Sequence, residues 1–321
     1  MKNLFLLLSL LAVSLTTQSS LGQVPPAPAP APATIPGYTE GPISNVVLQP
    51  DGSVTMTVIG VTVKVPVGTP VHSPTRALTL RQLALRTKLP GRLEAGFLGG
   101  TALINGVVDV ATGSFTAINM HVEPAENVLI GTVTQSSPLR ILNSDVVQIA
   151  DSRIPYSITN QFGFDVKPTS VPVGSAAAAA GYFADNKFQT FSLELTGDFP
   201  LANPNSQINI LKAQTRERGP NATRGDDVDM RGFYHSRDGV APTIRIYRVD
   251  SNVRTFLGNA TFIPDGVQPQ FGVWNYKATT APTTHPVLGT LPVHLQAVLV
   301  TFNGTVEVET AIASADPDQI P

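Results

Sequence analysis

The chain has 321 residues, 42% of them hydrophobic and only 14% charged, with a formal net charge of −2 and an isoelectric point near 6.2. Soluble domains average about 25% charged residues, so polarity here rests on Thr, Ser, Asn, Gln and backbone, and near-neutrality excludes a global drive towards nucleic acid or acidic membranes. The absence of Cys excludes disulfides, thiolate metal sites, a Cys nucleophile and a lipidated N-terminal Cys.

Lys2, an apolar run from Leu4 to Leu15, and small Ser20 and Gly22 before Gln23 read as a secretory signal peptide over 1–22. The run is shorter than the roughly 17–25 residues that span a bilayer. A secreted or periplasmic protein with no transmembrane segment after cleavage is therefore expected. From Gln23 the text QVPPAPAPAPATIP fixes φ at alternate positions and removes N–H donors, so 23–40 is expected to be a disordered Pro/Ala-rich tether.

A first barrel-like unit is expected over 41–124. Asn45–Gln49, Ser53–Ile59 and Val61–Val65 read as strands, with Val54, Met56 and Val58 alternating against Thr55 and Thr57 so that one face meets a core. Thr79 and Gln82 form a capping-box pair, and Leu80, Leu83, Ala84 and Thr87 share a helical face until Pro90-Gly91, which predicts a short helix within Thr75–Lys88. Strands resume at Glu94–Ile104, with a hairpin turn at Asn105-Gly106, and at Ser114–Glu123. Three strands, a helix and two or three strands match the five-stranded Greek-key barrel of the OB type.

The plan recurs over 125–200. Ser114–Val122 and Lys187–Leu195 carry apolar residues at coincident positions, and Ala95-Gly96-Phe97 resembles Ala180-Gly181-Tyr182. The helix has no counterpart, because Pro168, Pro172 and Gly174 break the corresponding stretch, and Ala176–Ala180 is expected to be strand. A linker at 201–207 leads to seven candidate strands over 208–313, the count of an immunoglobulin-like sandwich, with Asn303-Gly304 as the hairpin turn before the last; 314–321 reads as a tail.

The expected fold class is thus mainly β, two small OB-like barrels followed by an immunoglobulin-like sandwich. The Gly-rich strand blocks Gly41–Val122 and Gly131–Leu195 resemble small barrel domains of unknown function from secreted bacterial proteins, and Ala213–Ala313 resembles a bacterial immunoglobulin-like module. The resemblance implies an architecture and brings no catalytic residue with it.

Among chemical signatures, G-x-S-x-G, H-E-x-x-H, Walker A and G-x-G-x-x-G are missing from the sequence. His72, His121, His235, His285 and His294 never fall at i, i+2 or i, i+4, so no local metal pair exists. Asp226, Asp227 and Asp229 are weak candidates for a Ca²⁺ site; the alternative is a solvated turn balanced by Arg216, Arg218, Arg224 and Arg231. Arg224-Gly225-Asp226 is the tripeptide read by integrins, and Asn221, Asn259 and Asn303 open glycosylation sequons. Trp274 and Tyr276 lie two apart on one strand face, as a glycan-stacking platform or as core anchors. Between Asp51 and Glu94 there is no acidic residue, while Arg76, Arg81, Arg86, Lys88 and Arg92 cluster, either as a solvated face or as an anion-binding surface.

The function expected from these features is an exported, non-enzymatic binding or spacer protein of the bacterial envelope or extracellular space, with no catalytic residues and no cofactor. Its expected partner is an anionic surface polymer or glycan and not nucleic acid. A glycan-binding or adhesive module is the alternative, and a hydrolase using Glu94, Asp109 and Glu194 a further one.

Overall fold

A computed structural model describes residues 33–216, 227–237, 239, 242–250, 253–279, 294–303 and 306–319. Strand makes up 61% of it and helix 2%. The first barrel comprises β1 (Thr34–Leu48), β2 (Val54–Val58), β3 (Val61–Val65), β4 (Val71–Ser73), β5 (Arg76–Leu78), α1 (Leu80–Leu83), β6 (Thr101–Asp109) and β7 (Phe115–Glu123). Its sheet runs β3-β2-β1-β6-β7-β4-β5, and a parallel pairing of β3 with β7 closes the five strands β1-β2-β3-β7-β6 into a ring. That is the strand order of an OB-type barrel. Val54, Met56 and Val58 are buried inside it as their alternation predicts, while Thr55 and Thr57 face outward.

The second barrel repeats the five ring strands of the first in the same order, without a counterpart to β5 and α1. It comprises β8 (Asn127–Gln135), β9 (Arg140–Ile141), β10 (Ser144–Gln148), β11 (Ser157–Asn160), β12 (Ala176–Ala184) and β13 (Lys187–Thr196), in the order β10-β9-β8-β12-β13-β11, with a parallel β10–β13 pairing that closes the ring. The closing pair Val63↔Phe115 of the first barrel recurs as Val146↔Phe188. Each barrel also carries the same β-bulge. The β6–β7 register slips between Asn105 and Gly106, leaving Ile118 as the extra residue, and the β12–β13 register slips between Ala180 and Gly181, leaving Phe191. A glycine is required at both slips: a Cβ on Gly106 would stand 2.2 Å from Thr116 O, and one on Gly181 1.9 Å from Gln189 O.

Several sequence expectations are corrected. Asn105-Gly106 is not a hairpin turn; its glycine serves the bulge within β6, and the chain reverses instead before Gly113, whose φ is +67°. Register makes Gly106, and not Gly96, the counterpart of Gly181, because Ala95-Gly96-Phe97 lies in a turn ahead of β6. The capping box of Thr79 and Gln82 is formed, yet α1 is a single turn, since the carbonyls beyond it are engaged by the second barrel. β1 begins at Thr34, inside the expected tether, where Thr34–Pro42 pairs with Asp109–Thr101.

The C-terminal module comprises β14 (Gln207–Ile208), β15 (Lys212–Arg216), β16 (Asp227–His235), β17 (Thr243–Asp250), β18 (Val253–Asn259), β19 (Thr261–Pro264), β20 (Phe271–Thr279), β21 (His294–Asn303), β22 (Val306–Ala315) and β23 (Asp318–Gln319). One sheet runs β19-β20-β16-β15-β23 and the other β18-β17-β21-β22, with the chain changing sheets at Ala260. This is the immunoglobulin-type order, enclosing Trp274, Tyr234, Ile244, Ile246, Leu295 and Leu299. The expected tail is in part structure: β22 continues to Ala315 and β23 pairs in parallel with Gln214 and Thr215. The Asn303-Gly304 turn extends outside the described residues. The expected linker is tied down, as Ala202 N donates to Asp165 O and Asn209 bonds both Phe162 O and Phe233 N.

Both junctions between modules are packed. Ile149, Ile154, Tyr182 and Phe191 of the second barrel belong to the core of the first. The sandwich meets the second barrel through Phe162, Phe164, Phe233 and Phe271, with Phe162 stacked on Phe271 at 4.7 Å. In each barrel the contact with the following module comes from the chain between its third and fourth ring strands: Leu85–Phe97 in the first, Phe162 and Phe164 in the second.

Candidate functional site: the basic strip at the barrel junction

The segment between β5 and β6 carries the basic cluster. After α1 the chain runs through Leu85–Lys88 without regular structure, and Arg153 of the second barrel fixes it. Arg153 is 1% exposed; its Nη1 donates to Leu85 O at 3.1 Å and its Nη2 to Thr87 O at 2.8 Å. A buried guanidinium needs a counter-charge, and Asp151 supplies it through Nε–Oδ1 at 2.9 Å and Nη2–Oδ2 at 2.8 Å. These hydrogen bonds hold the Asp151 carboxyl below the usual carboxylate range. Gly96 approaches the strip beside Arg153, since a Cβ there would lie 2.4 Å from Leu85 O. Arg92 spans the same junction: it donates to Pro124 O and Leu98 O and lies over the Tyr182 ring. Burial pushes the Tyr182 hydroxyl up to about 12, and it donates to Pro90 O.

The five sequence candidates therefore divide. Arg76, bound to Ser152 O and Ala77 O, and Arg92 are used in holding the barrels together. Arg81, Arg86 and Lys88 are exposed, and among the described residues none of them has a salt-bridge partner. Nothing in the sequence marked Arg153 or Asp151, which stand in a loop without periodicity.

The other candidates are placed elsewhere. Trp274 and Tyr276 share one strand face, but it is the inner one. Trp274 is fully buried, with Nε1 donating to Asn209 O and Phe233 O, and the Tyr276 hydroxyl donates to Leu257 O. A glycan-stacking platform at these rings is therefore overturned. Asp226, the Arg-Gly-Asp tripeptide and the Asn221 sequon lie outside the described residues; Asp229 is bound to Lys212 Nζ at 2.6 Å, and Asp227 lies on the same strand. Among the described residues no three acidic or His side chains cluster as metal ligands. Glu94 precedes β6 beside Arg92, and Asp109 ends it in a turn with Thr112, so roughly 30 Å of strand separates them. Glu194 lies exposed on β13. His121 contacts Glu123, His294 contacts Asp316, and His72 is exposed on β4; His285 lies outside the described residues. His235 is buried against Phe271, its Nδ1 donating to Asn205 O, and burial lowers its pKa. An open groove of about 400 Å³ lies between Leu211-Lys212 and Ala315-Asp316, but Lys212 and Asp316 on its walls are tied to Asp229 and His294.

The strand orders define a protein of two OB-type barrels and an immunoglobulin-type sandwich. No family model matches the chain, and no curated protein matches it. No helix among the described residues is long and apolar enough to cross a membrane.

Proposed function

We propose that the chain is an exported, non-enzymatic binding and spacer protein of the bacterial envelope or extracellular space, in which three β modules form one stiff body. The observation that carries this reading is the burial at both junctions: Arg153 and Phe191 between the barrels, Phe162 on Phe271 before the sandwich. Modules joined by cores of this kind hold their spacing, whereas modules on linkers move independently by default. The carboxylates considered for hydrolysis are dispersed, and the aromatic pair considered for glycans is enclosed. Export follows from the signal-like segment 1–22, and the resemblance to secreted bacterial barrel modules agrees with it.

The test combines three measurements on the exported protein. N-terminal mass analysis is expected to start at Gln23, small-angle scattering to fit a single rigid body, and a panel of chromogenic glycosides and esters to stay intact. Retained Met1, a scattering profile of independently moving modules, or turnover of any ester or glycoside overturns the reading.

A further inference from the structure

We propose that the strip from Arg81 to Lys88 is a docking ledge for a linear polyanion, a polymer bearing carboxylate, sulfate or phosphate on successive units. The inference rests on the non-enzymatic binding reading and names its partner. Three observations support it. The stretch between Asp51 and Glu94 holds no Asp or Glu, so the strip has no acidic neighbour in sequence to neutralise it. The arginines of the segment that do structural work, Arg76 and Arg92, are spent on main-chain carbonyls, which leaves Arg81, Arg86 and Lys88 exposed and without salt bridges among the described residues. On the sandwich Lys212, Arg245 and Arg254 each meet a carboxylate at 2.6–2.8 Å, while exposed Arg231 and Lys277 have no salt bridge among the described residues.

The third observation is rigidity. Arg153 donates to the carbonyls of Leu85 and Thr87, two residues apart, which pins the chain between them to the second barrel, and the bare Gly96 lets the Leu85 carbonyl sit where a Cβ would stand 2.4 Å from it. Arg86 and Lys88 flank Thr87, one of the two pinned residues, and both are exposed. Their positions are set before any ligand arrives, which lowers the ordering cost of binding. The strip is an outer surface and not a pocket. Single exposed ion pairs contribute little, so a small anion gains almost nothing there. A polymer engages all three cations at once and releases its condensed counterions.

The experiment uses the mature chain with a sulfated dextran, a polyphosphate and alginate of similar length, neutral dextran being the blank, with Kd measured between 50 and 200 mM salt. Binding to at least one polyanion is expected, weakening steeply with salt. The triple variant R81Q/R86Q/K88Q is expected to bind at least tenfold more weakly, with the slope of log Kd against log salt reduced by about three. A control removing equal charge from exposed positions elsewhere, K167Q/R237Q/K277Q, is expected to stay within twofold of wild type. The preferred polymer identifies whether the natural source carries sulfate, phosphate or carboxylate. Equal losses in the two triple variants, or no binding to any of the three polymers, overturn the ledge, whereas turnover in the hydrolase panel overturns the broader reading.

Discussion

Ile118 and Phe191 are the extra residues of the same bulge, one in each barrel, and they differ in what they meet: Ile118 is 43% exposed, Phe191 3%. Phe191 points out of its own barrel into the core of the first. Phe191→Ala is accordingly expected to cost about 3–5 kcal/mol, the range for emptying a buried aromatic site, and Ile118→Ala less than about 1 kcal/mol. Denaturant unfolding of the two variants checks this; similar losses would contradict the asymmetry.

The bulge glycines give a second expectation. The atom nearest to a Cβ on Gly106 or on Gly181 is a main-chain carbonyl oxygen, which cannot rotate away. Gly181→Ala and Gly106→Ala should each cost more than about 2 kcal/mol through forced opening of the ladder. Gly131→Ala is the comparison: its Cβ would meet the side chain of Leu142, which is 58% exposed and free to swing, so the cost should stay below about 1 kcal/mol.

Removing Arg153 leaves Asp151 and two carbonyls inside the junction without their donor. Arg153→Met is expected to destabilise by about 3–5 kcal/mol, and the double variant R153M/D151L to recover part of it, because an unpaired buried charge is worse than an apolar pair. The carboxyl of Asp151 has a lowered pKa in the folded protein. Its contribution is therefore complete above its ordinary value of 3.8 and is lost as pH falls through the lowered one. Wild type should lose stability in that acid window, and D151L/R153M should lose less.

His235 titrates in a different window. Burial lowers its pKa below the ordinary 6.5, so the unfolded chain takes up the proton first. Stability is then complete above 6.5 and declines as pH falls below it. Thermal midpoints of wild type should drop between pH 7 and 5 more than those of His235→Gln; parallel curves would show that the pKa of His235 is the same in the folded and unfolded states.

The barrels were legible because their chemistry is local. Alternation in Val54–Val58, the Thr79–Gln82 capping box and the recurrence of Ser114–Val122 in Lys187–Leu195 each fix a feature within a few residues. Trp274 and Tyr276 show the limit. Period two put them on one face, but which face meets the other sheet depends on strands far along the chain. Asn105-Gly106 failed for a related reason: glycine relieves a turn and a bulge alike, and only the partner strand distinguishes them. The basic strip was visible as charge, but its division into holding and presenting residues was not, because Ser152, Arg153 and Pro124, which decide it, come from beyond the segment.

The way each barrel meets the module after it gives the molecule a direction. On the leading side of each contact stands an insertion that differs between the barrels; on the receiving side stand Ile149, Arg153, Tyr182 and Phe191 at the first junction and Phe233 and Phe271 at the second. The two insertions differ in kind, one carrying a turn of helix and a charged strip, the other a pair of phenylalanines. Such a molecule is a series with a polarity, each barrel reaching forward with one loop, and a new unit would have to bring its own receiving face to meet it.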